Sequence, residues 1–107
     1  MSKIKIKKVK ASVKRAAKIL DKKSKGWEKS IDISELNLQD SDYCIIGHVF
    51  GSYYSEKKKV QKIVSKIEEI DDTVLGGGNY EQFCIGHYGT LLYKAFWIKE
   101  IEKRQKS

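Results

Sequence analysis

The sequence predicts a mainly α protein, a compact bundle of about four helices. Apolar residues recur at helical spacing in several stretches, and glycine-containing breaks separate those stretches. The 107 residues fit a single domain, and 40% of them are hydrophobic, which is enough for a modest core. A short N-terminal strand or strand pair is also predicted, because Lys and Ile alternate over residues 3–6.

The first two helices are separated by a polar segment. The first is predicted over residues 11–23, where one face is apolar, the other is rich in lysine, and Gly26 follows as a stop. Residues 27–38 alternate apolar and polar side chains, which indicates a short strand or an extended segment held on the core. A second helix is predicted over residues 43–54, with Ser41 or Asp42 as its N-cap.

Two glycines in the second helix and an apolar stripe in the third carry further structural expectations. Gly47 and Gly51 lie four residues apart, which indicates a smooth face that another backbone approaches closely. The third helix is predicted over residues 56–72. Its apolar stripe consists of Val60, Ile63, Val64, Ile67 and Ile70.

The C-terminal part is predicted to hold the last helix. Residues 1–107 are expected to form one domain with a basic N-terminal arm or helix, residues 1–25, and a flexible joint at Gly76–Gly78. Thr90 is the predicted N-cap of the last helix, and the tail over residues 103–107 is expected to fray. The apolar rows of that helix are Leu92 with Phe96, and Tyr93 with Trp97 and Ile101.

Charge is distributed unevenly along the chain. The net charge is +8, yet residues 1–29 carry +10 and the other 78 residues carry −2. The stretch from Ser30 to Ser55 has no Lys or Arg. Such asymmetry indicates a polyanionic partner, an acidic protein surface, or docking within the molecule. The candidate basic binding residues are Lys3, Lys5, Lys7, Lys8, Lys10, Lys14, Arg15 and Lys18.

The composition also predicts the compartment. No stretch approaches the roughly 18–20 apolar residues of a membrane span, and lysines interrupt the N-terminal apolar residues, so no secretory signal is recognised. Two cysteines without such a signal are expected to be reduced thiols. We therefore expect a cytoplasmic protein.

Both cysteines and both histidines occur in two similar stretches, with Cys44 and His48 in one and Cys84 and His87 in the other. Together they offer two thiolates and two imidazoles, a set that satisfies tetrahedral zinc. The favoured interpretation is instead a core cysteine with ordinary histidines, because aliphatic and aromatic neighbours flank each cysteine and free cysteine is usually buried. No cofactor is therefore predicted, with structural zinc as the alternative.

An enzyme is not predicted. A Cys–His nucleophile needs a third group to orient its base, and none is evident. The glycines at 76–78 lack the GK[ST] of a phosphate loop. The carboxylates near the end of the third predicted helix are expected to be a solvated cluster; they are Glu68, Glu69, Asp71 and Asp72.

One stretch carries a resemblance. The pattern W-x3-I-D-x3-L-x-L-x5-C-x2-G-x3-G-x-Y is formed by Trp27, Ile31, Asp32, Leu36, Leu38, Cys44, Gly47, Gly51 and Tyr53. It resembles a loose group of small proteins from bacteriophages and prophage-rich bacterial genomes. The resemblance covers about a quarter of the chain, with a fainter echo around Trp97. That group has no agreed function, so no active-site residue is implied. At the position of His48 it more often has Gln, and it has no fixed counterpart to Cys84 or His87, which favours the core interpretation.

The resemblance implies a phage-type accessory protein that occupies a host protein, in the manner of an inhibitor of a defence nuclease or an anti-CRISPR protein. An acidic segment that mimics nucleic acid would suit such a target, and tyrosine is favoured in interfaces. The candidate interface residues are Asp32, Glu35, Asp40, Asp42, Tyr53 and Tyr54, although at least one tyrosine is expected in the core.

Direct nucleic-acid binding by the basic segment is the alternative. That segment is expected to be weakly specific, because residues 1–26 contain one Arg and no aromatic side chain. The lysines are equally compatible with an ordinary solvated surface. Membrane binding is disfavoured, because the apolar face of the first helix is Val and Ala rather than Trp, Phe or Leu.

Overall fold

The computed structural model of the protein describes residues 6–38, 40–71, 74–75 and 86–106, and in the last of these ranges it places side chains from residue 92 onward. The mainly α prediction is confirmed, and the described ranges contain no β-strand. The α-helices are α1 (Ile6–Lys23), α2 (Ile45–Phe50), α3 (Lys58–Glu68) and α4 (Gly86–Gln105). Two single 3-10 turns, Trp27–Ser30 and Ile33–Glu35, link α1 to α2.

Helix α1 begins earlier than its sequence predicted. Ile6 is its first residue and is 59% exposed, so the predicted N-terminal strand is wrong at this position, and residues 3–5 lie outside the described range. The helical apolar spacing continues back to this residue and overrides the short Lys–Ile alternation. The helix ends as predicted, because Gly26 adopts a left-handed conformation with φ of 84°. Its buried stripe is Val9, Ser12, Val13, Ala16, Ala17 and Leu20.

The segment between α1 and α2 is built from turns rather than a strand. Asp32 caps the second turn, since its carboxylate accepts hydrogen bonds from the Ser34 backbone N–H at 3.0 Å and hydroxyl at 2.6 Å. These local bonds satisfy backbone groups without a partner strand. The predicted attachment to the core is nevertheless confirmed, because Ile31, Leu36 and Leu38 are all buried.

Helix α2 is half the predicted length, and its predicted N-cap was wrong. Cys44 is the N-cap: its Sγ accepts a hydrogen bond from the Gly47 N–H at 3.4 Å. The carbonyl of Ser41 accepts instead from the Tyr53 N–H at 2.8 Å, which ties the two ends of this segment together. The helix stops because Gly51 has φ of 98°, a conformation that side chains rarely adopt.

The predicted close backbone approach is confirmed at Gly47 and wrong at Gly51, where an added Cβ would meet nothing within 4 Å. A Cβ placed there would lie 2.4 Å from the carbonyl carbon and oxygen of Asp42 and 2.6 Å from the Ser41 oxygen. Because those contacts are backbone atoms, relief requires moving the loop before α2.

We expect Gly47→Ala to lower the free energy of unfolding by about 2–3 kcal/mol, the upper part of the range for overpacking. Urea unfolding followed by circular dichroism measures the change. The exposed α3 substitution Ser65→Ala is the control and is expected to lie within about 0.5 kcal/mol of the wild type. An unchanged stability for Gly47→Ala would contradict the close approach.

Helices α3 and α4 follow the predicted apolar patterns but differ at their ends. Four of the five predicted α3 residues are buried, and Ile70, beyond the helix end, is partly exposed. Thr90 lies inside α4 and is therefore not its N-cap. The tail does not fray at Arg104 and Gln105, because both remain helical and bond to residues far away in sequence. The predicted joint at Gly76–Gly78 lies outside the described residues.

One hydrophobic core joins all the described elements. Helix α1 packs against both α3 and α4, and the first 3-10 turn contacts α2 and α4. Trp27 and Trp97 meet edge to face at the centre, with ring centroids 5.9 Å apart and both side chains at most 1% exposed. The Cα radius of gyration, 12.7 Å, is close to the roughly 13 Å expected for a compact chain of this length.

Candidate functional site

The basic side chains predicted on the first helix share the solvent face of α1. Since the apolar stripe of α1 packs into the core, the opposite side of the helix is exposed to solvent. The exposed predicted residues are Lys7, Lys8, Lys10, Lys14, Arg15 and Lys18, whereas Lys3 and Lys5 lie outside the described range. In the C-terminal turn of α1, Lys22 and Lys23 are also exposed.

A groove between the end of α1 and one flank of α3 is lined mainly by lysines. Lys59, Lys62 and Lys66 line one side of it, and Lys23 of α1 lines the other. Ile63, only 4% exposed, forms its apolar floor. The groove has a volume of about 490 Å³, which is within the range of ligand-binding clefts.

Helical spacing explains the lysine row. Positions 59, 62 and 66 are separated by three and four residues, so their side chains follow one another along the same side of α3. With a rise of about 1.5 Å per residue, the row is about 10 Å long. The same spacing one residue further on defines the buried stripe, which is why the lysine row borders the core.

The electrostatics of the groove are unbalanced. No acidic side chain lines it, and within the described part of the chain none of its four lysines forms an ion pair. Four ammonium groups around one concavity repel each other and attract anions. The arrangement can therefore bind a ligand that brings several negative charges.

Sequence reasoning missed this site. The charge excess of the chain lies in residues 1–29. Acidic residues before and after α3 cancel the charge of its lysines, so the net charge of this region gives no indication of a basic surface. The signal was the spacing of Lys59, Lys62 and Lys66. Only the packing of α3 on α1 brings Lys23 opposite them.

The predicted acidic residues form a separate, largely exposed surface. Asp32, Glu35 and Asp42 are exposed, and Asp40 is partly exposed. Two of them form local hydrogen bonds: the Asp32 carboxylate accepts from Ser34, and the Asp40 carboxylate accepts from the Asp42 N–H at 2.8 Å. Bonding to the Ser34 hydroxyl is the main reason that the pKa of Asp32 is lowered.

The two predicted interface tyrosines have different environments. Tyr53 packs against the core, and its hydroxyl donates a hydrogen bond to Glu68. Burial, followed by the adjacent Glu68 carboxylate, raises the pKa of Tyr53. Tyr54 is 67% exposed and stacks edge to face on Tyr53, with ring centroids 5.2 Å apart. Of the pair, Tyr53 is the one that contacts the core, although it is only partly buried, and Tyr54 is the accessible one.

Cys44 is a buried structural thiol. It is completely inaccessible, caps α2 through Gly47, and contacts the Ser41 carbonyl at 3.8 Å. Burial raises the pKa of this thiol, which opposes the thiolate that a nucleophile or a zinc ligand needs. The side chains of Cys84 and His87 lie outside the described set, and the described residues contain no group of three or more potential metal ligands. The zinc set therefore stays a prediction.

His48 faces its own helix rather than a thiolate partner. Its Nδ1 lies 3.1 Å from the Cys44 carbonyl oxygen, a geometry in which Nδ1–H donates. Its Nε2 is buried without a hydrogen-bond partner among the described residues. The ring also lies 6.1 Å from that of Tyr43, edge to face. The Nδ1 hydrogen bond and the ring contact with Tyr43 stabilise the α2 region.

None of the helices in the described ranges is long and apolar enough to cross a membrane. Comparison of the chain with protein-family models, with curated proteins and with solved structures finds no match. The function proposed below therefore rests on the site itself.

Proposed function

We propose that the protein is a non-enzymatic binding protein that contacts the phosphate backbone of nucleic acid through a cationic surface formed by α1 and α3. The observation that carries the proposal is the lysine-lined groove, in which both helices direct uncompensated positive charge at one space. This extends the binding residues predicted on α1 to a second helix.

The mechanism is electrostatic. A lysine that neutralises a phosphate releases condensed counterions, and this release supplies most of the affinity of sequence-independent binding. The solvent face of α1 adds further lysines, whereas Arg15 is its one described arginine, the side chain best suited to read guanine. The expected binding is therefore tight at low salt and nearly indifferent to sequence.

Binding of a labelled, random-sequence DNA measured by fluorescence anisotropy tests the proposal. If each of the four groove lysines neutralises one phosphate of the DNA, the affinity is expected to fall about 100-fold between 50 and 200 mM salt. Two charge-reversed double variants are each expected to abolish measurable binding at 100 mM salt. One is Lys14→Glu with Lys18→Glu, and the other is Lys59→Glu with Lys62→Glu.

The matched control moves the same charge change to α4 and the residue that follows it. Lys99→Glu with Lys106→Glu alters the net charge equally, at exposed positions outside the groove. We expect this variant to bind far more tightly than either test variant. Equal losses in all three would show that net charge alone is responsible and would contradict a defined surface.

A second candidate function is occupation of a host protein that handles nucleic acid, as an inhibitor or adaptor. The observation that favours it is the surface from residue 30 to residue 55, which lacks Lys and Arg and exposes Tyr43 by 46% and Tyr54 by 67%. Capture from a bacterial lysate, with and without nuclease at moderate salt, separates the two functions. A single protein that stays bound after nuclease treatment supports the second candidate; complete loss supports the first.

A further inference from the structure

We infer that the groove between α1 and α3 binds single-stranded nucleic acid in preference to a duplex, by holding consecutive phosphates of one strand between its two lysine-bearing sides. The inference rests on the proposed function and specifies its ligand. It is carried by the shape of the groove, the position of its charges and the chemistry of its floor.

The shape favours one strand. The cationic groups lie on both sides of a concavity of about 490 Å³, with Lys23 facing the row of Lys59, Lys62 and Lys66. A flexible strand can enter this space and meet ammonium groups from both helices. A duplex is a rigid cylinder, wider than the roughly 12 Å of its own major groove, so it cannot enter the space between the two sides and contacts the groove only at its rim.

The length of the lysine row suits a short run of phosphates. The row spans about 10 Å, which is longer than the spacing between neighbouring phosphates of one strand. A short run of consecutive phosphates can therefore lie along α3 while Lys23 contacts the same run from the opposite side.

The residues that line the groove predict that binding depends little on base sequence. Ile63 and the methylene stems of the lysines offer apolar contact, and among the described residues no Arg, Asn or Gln lines the groove to recognise a base edge. No described aromatic side chain lines it either, so the described lining offers no base stacking. Binding is thus expected to depend almost entirely on phosphate contacts.

The test compares a labelled oligothymidine of 12 nucleotides with a 12-base-pair duplex, titrated from 50 to 300 mM salt. Each groove lysine is expected to contribute about −0.7 to the slope of log K against log salt for the single strand. Lys59→Gln with Lys62→Gln should therefore make that slope shallower by about 1.4. Because the titration covers a sixfold change in salt, the difference in affinity from the wild type should grow about 12-fold between 300 and 50 mM salt.

The comparison variant is Lys14→Gln with Lys18→Gln, which removes the same charge from the solvent face of α1 outside the groove. It is expected to weaken the single strand less than the groove variant does. Unchanged thermal melting of both variants shows that each remains folded, as expected for exposed positions.

The possible results distinguish the two levels of the proposal. A tighter single strand, weakened most by the groove variant, supports the inference. Equal affinity for the duplex, or equal losses in the two variants, overturns it while leaving nucleic-acid binding intact. Absence of binding to both probes at 50 mM salt overturns the proposed function and the inference together.

Discussion

Replacing Trp97 with alanine is expected to lower the free energy of unfolding by about 3–5 kcal/mol, the usual cost of removing a large buried aromatic side chain. Trp97 is completely buried and meets Trp27 edge to face at 5.9 Å. Its indole N–H also donates to the Val74 carbonyl at 2.8 Å, so truncation leaves that acceptor without its partner. Urea unfolding followed by circular dichroism measures the loss.

Two further substitutions show which contact matters. Trp97→Phe keeps much of the buried surface but removes the hydrogen bond to Val74, so we expect an intermediate loss of about 1–3 kcal/mol. Tyr54→Ala removes an aromatic ring that is 67% exposed and is expected to change stability by less than about 0.5 kcal/mol. A Trp97→Ala protein as stable as the Tyr54→Ala control would contradict the central position of this side chain.

The second large effect concerns Arg104, which connects the C-terminal helix to the end of α1. Its guanidinium donates to both carboxylate oxygens of Asp21, at 2.9 and 2.8 Å, and to the largely buried Glu100 carboxylate at 2.8 Å. The guanidinium also lies over the Trp27 ring, whose N–H donates to Asp21. Arg104→Ala leaves Glu100 without this partner and is expected to cost about 2–3 kcal/mol.

A lysine variant and an exposed control sharpen this result. Arg104→Lys keeps the charge but cannot donate in the same fork, so we expect it to recover only part of the loss. Lys106→Ala, two residues later and exposed, should have the stability of the wild type within about 0.5 kcal/mol. If Arg104→Ala unfolds at the wild-type urea concentration, the cluster contributes nothing to stability.

The Asp21 pair also predicts a pH dependence. Hydrogen bonding from Arg104, aided by Trp27, lowers the pKa of Asp21 below its ordinary value of 3.8. A carboxyl group with a lowered pKa stabilises the folded state fully above its unfolded pKa and loses that contribution as the pH falls through the folded value. The stability difference between wild type and Asp21→Asn should therefore be constant above about pH 5 and shrink below pH 4. A difference that grows on acidification would contradict the pairing.

Helical segments with a long apolar stripe were predictable because burial of that stripe is a periodic, local requirement. The stripe of α3 and the stop of α1 at Gly26 are examples. Helix ends were less predictable, since they depend on partners distant in sequence. Arg104 and Gln105 stay ordered because Asp21, Glu28 and Ile31 accept their hydrogen bonds, and no local pattern announces those acceptors.

Short segments were the least predictable, because local hydrogen bonds compete there with periodicity. The alternation over residues 27–38 describes which side chains are buried, yet the Asp32 carboxylate and the turn-forming backbone decide that it is not a strand. Similarly, the buried thiol of Cys44 takes the capping position that a serine or aspartate nearby was expected to fill.

The candidate site, too, was predictable only in part. The order of residues is enough to predict a mainly α protein with a strongly basic first helix, since charge and apolar spacing are properties of the chain. The position of Lys23 across from the lysine row of α3 depends on packing, because two helices far apart in sequence must lie side by side. It is this packing that turns scattered surface lysines into a groove, and like charges brought together without a counter-ion are what an anionic strand would neutralise.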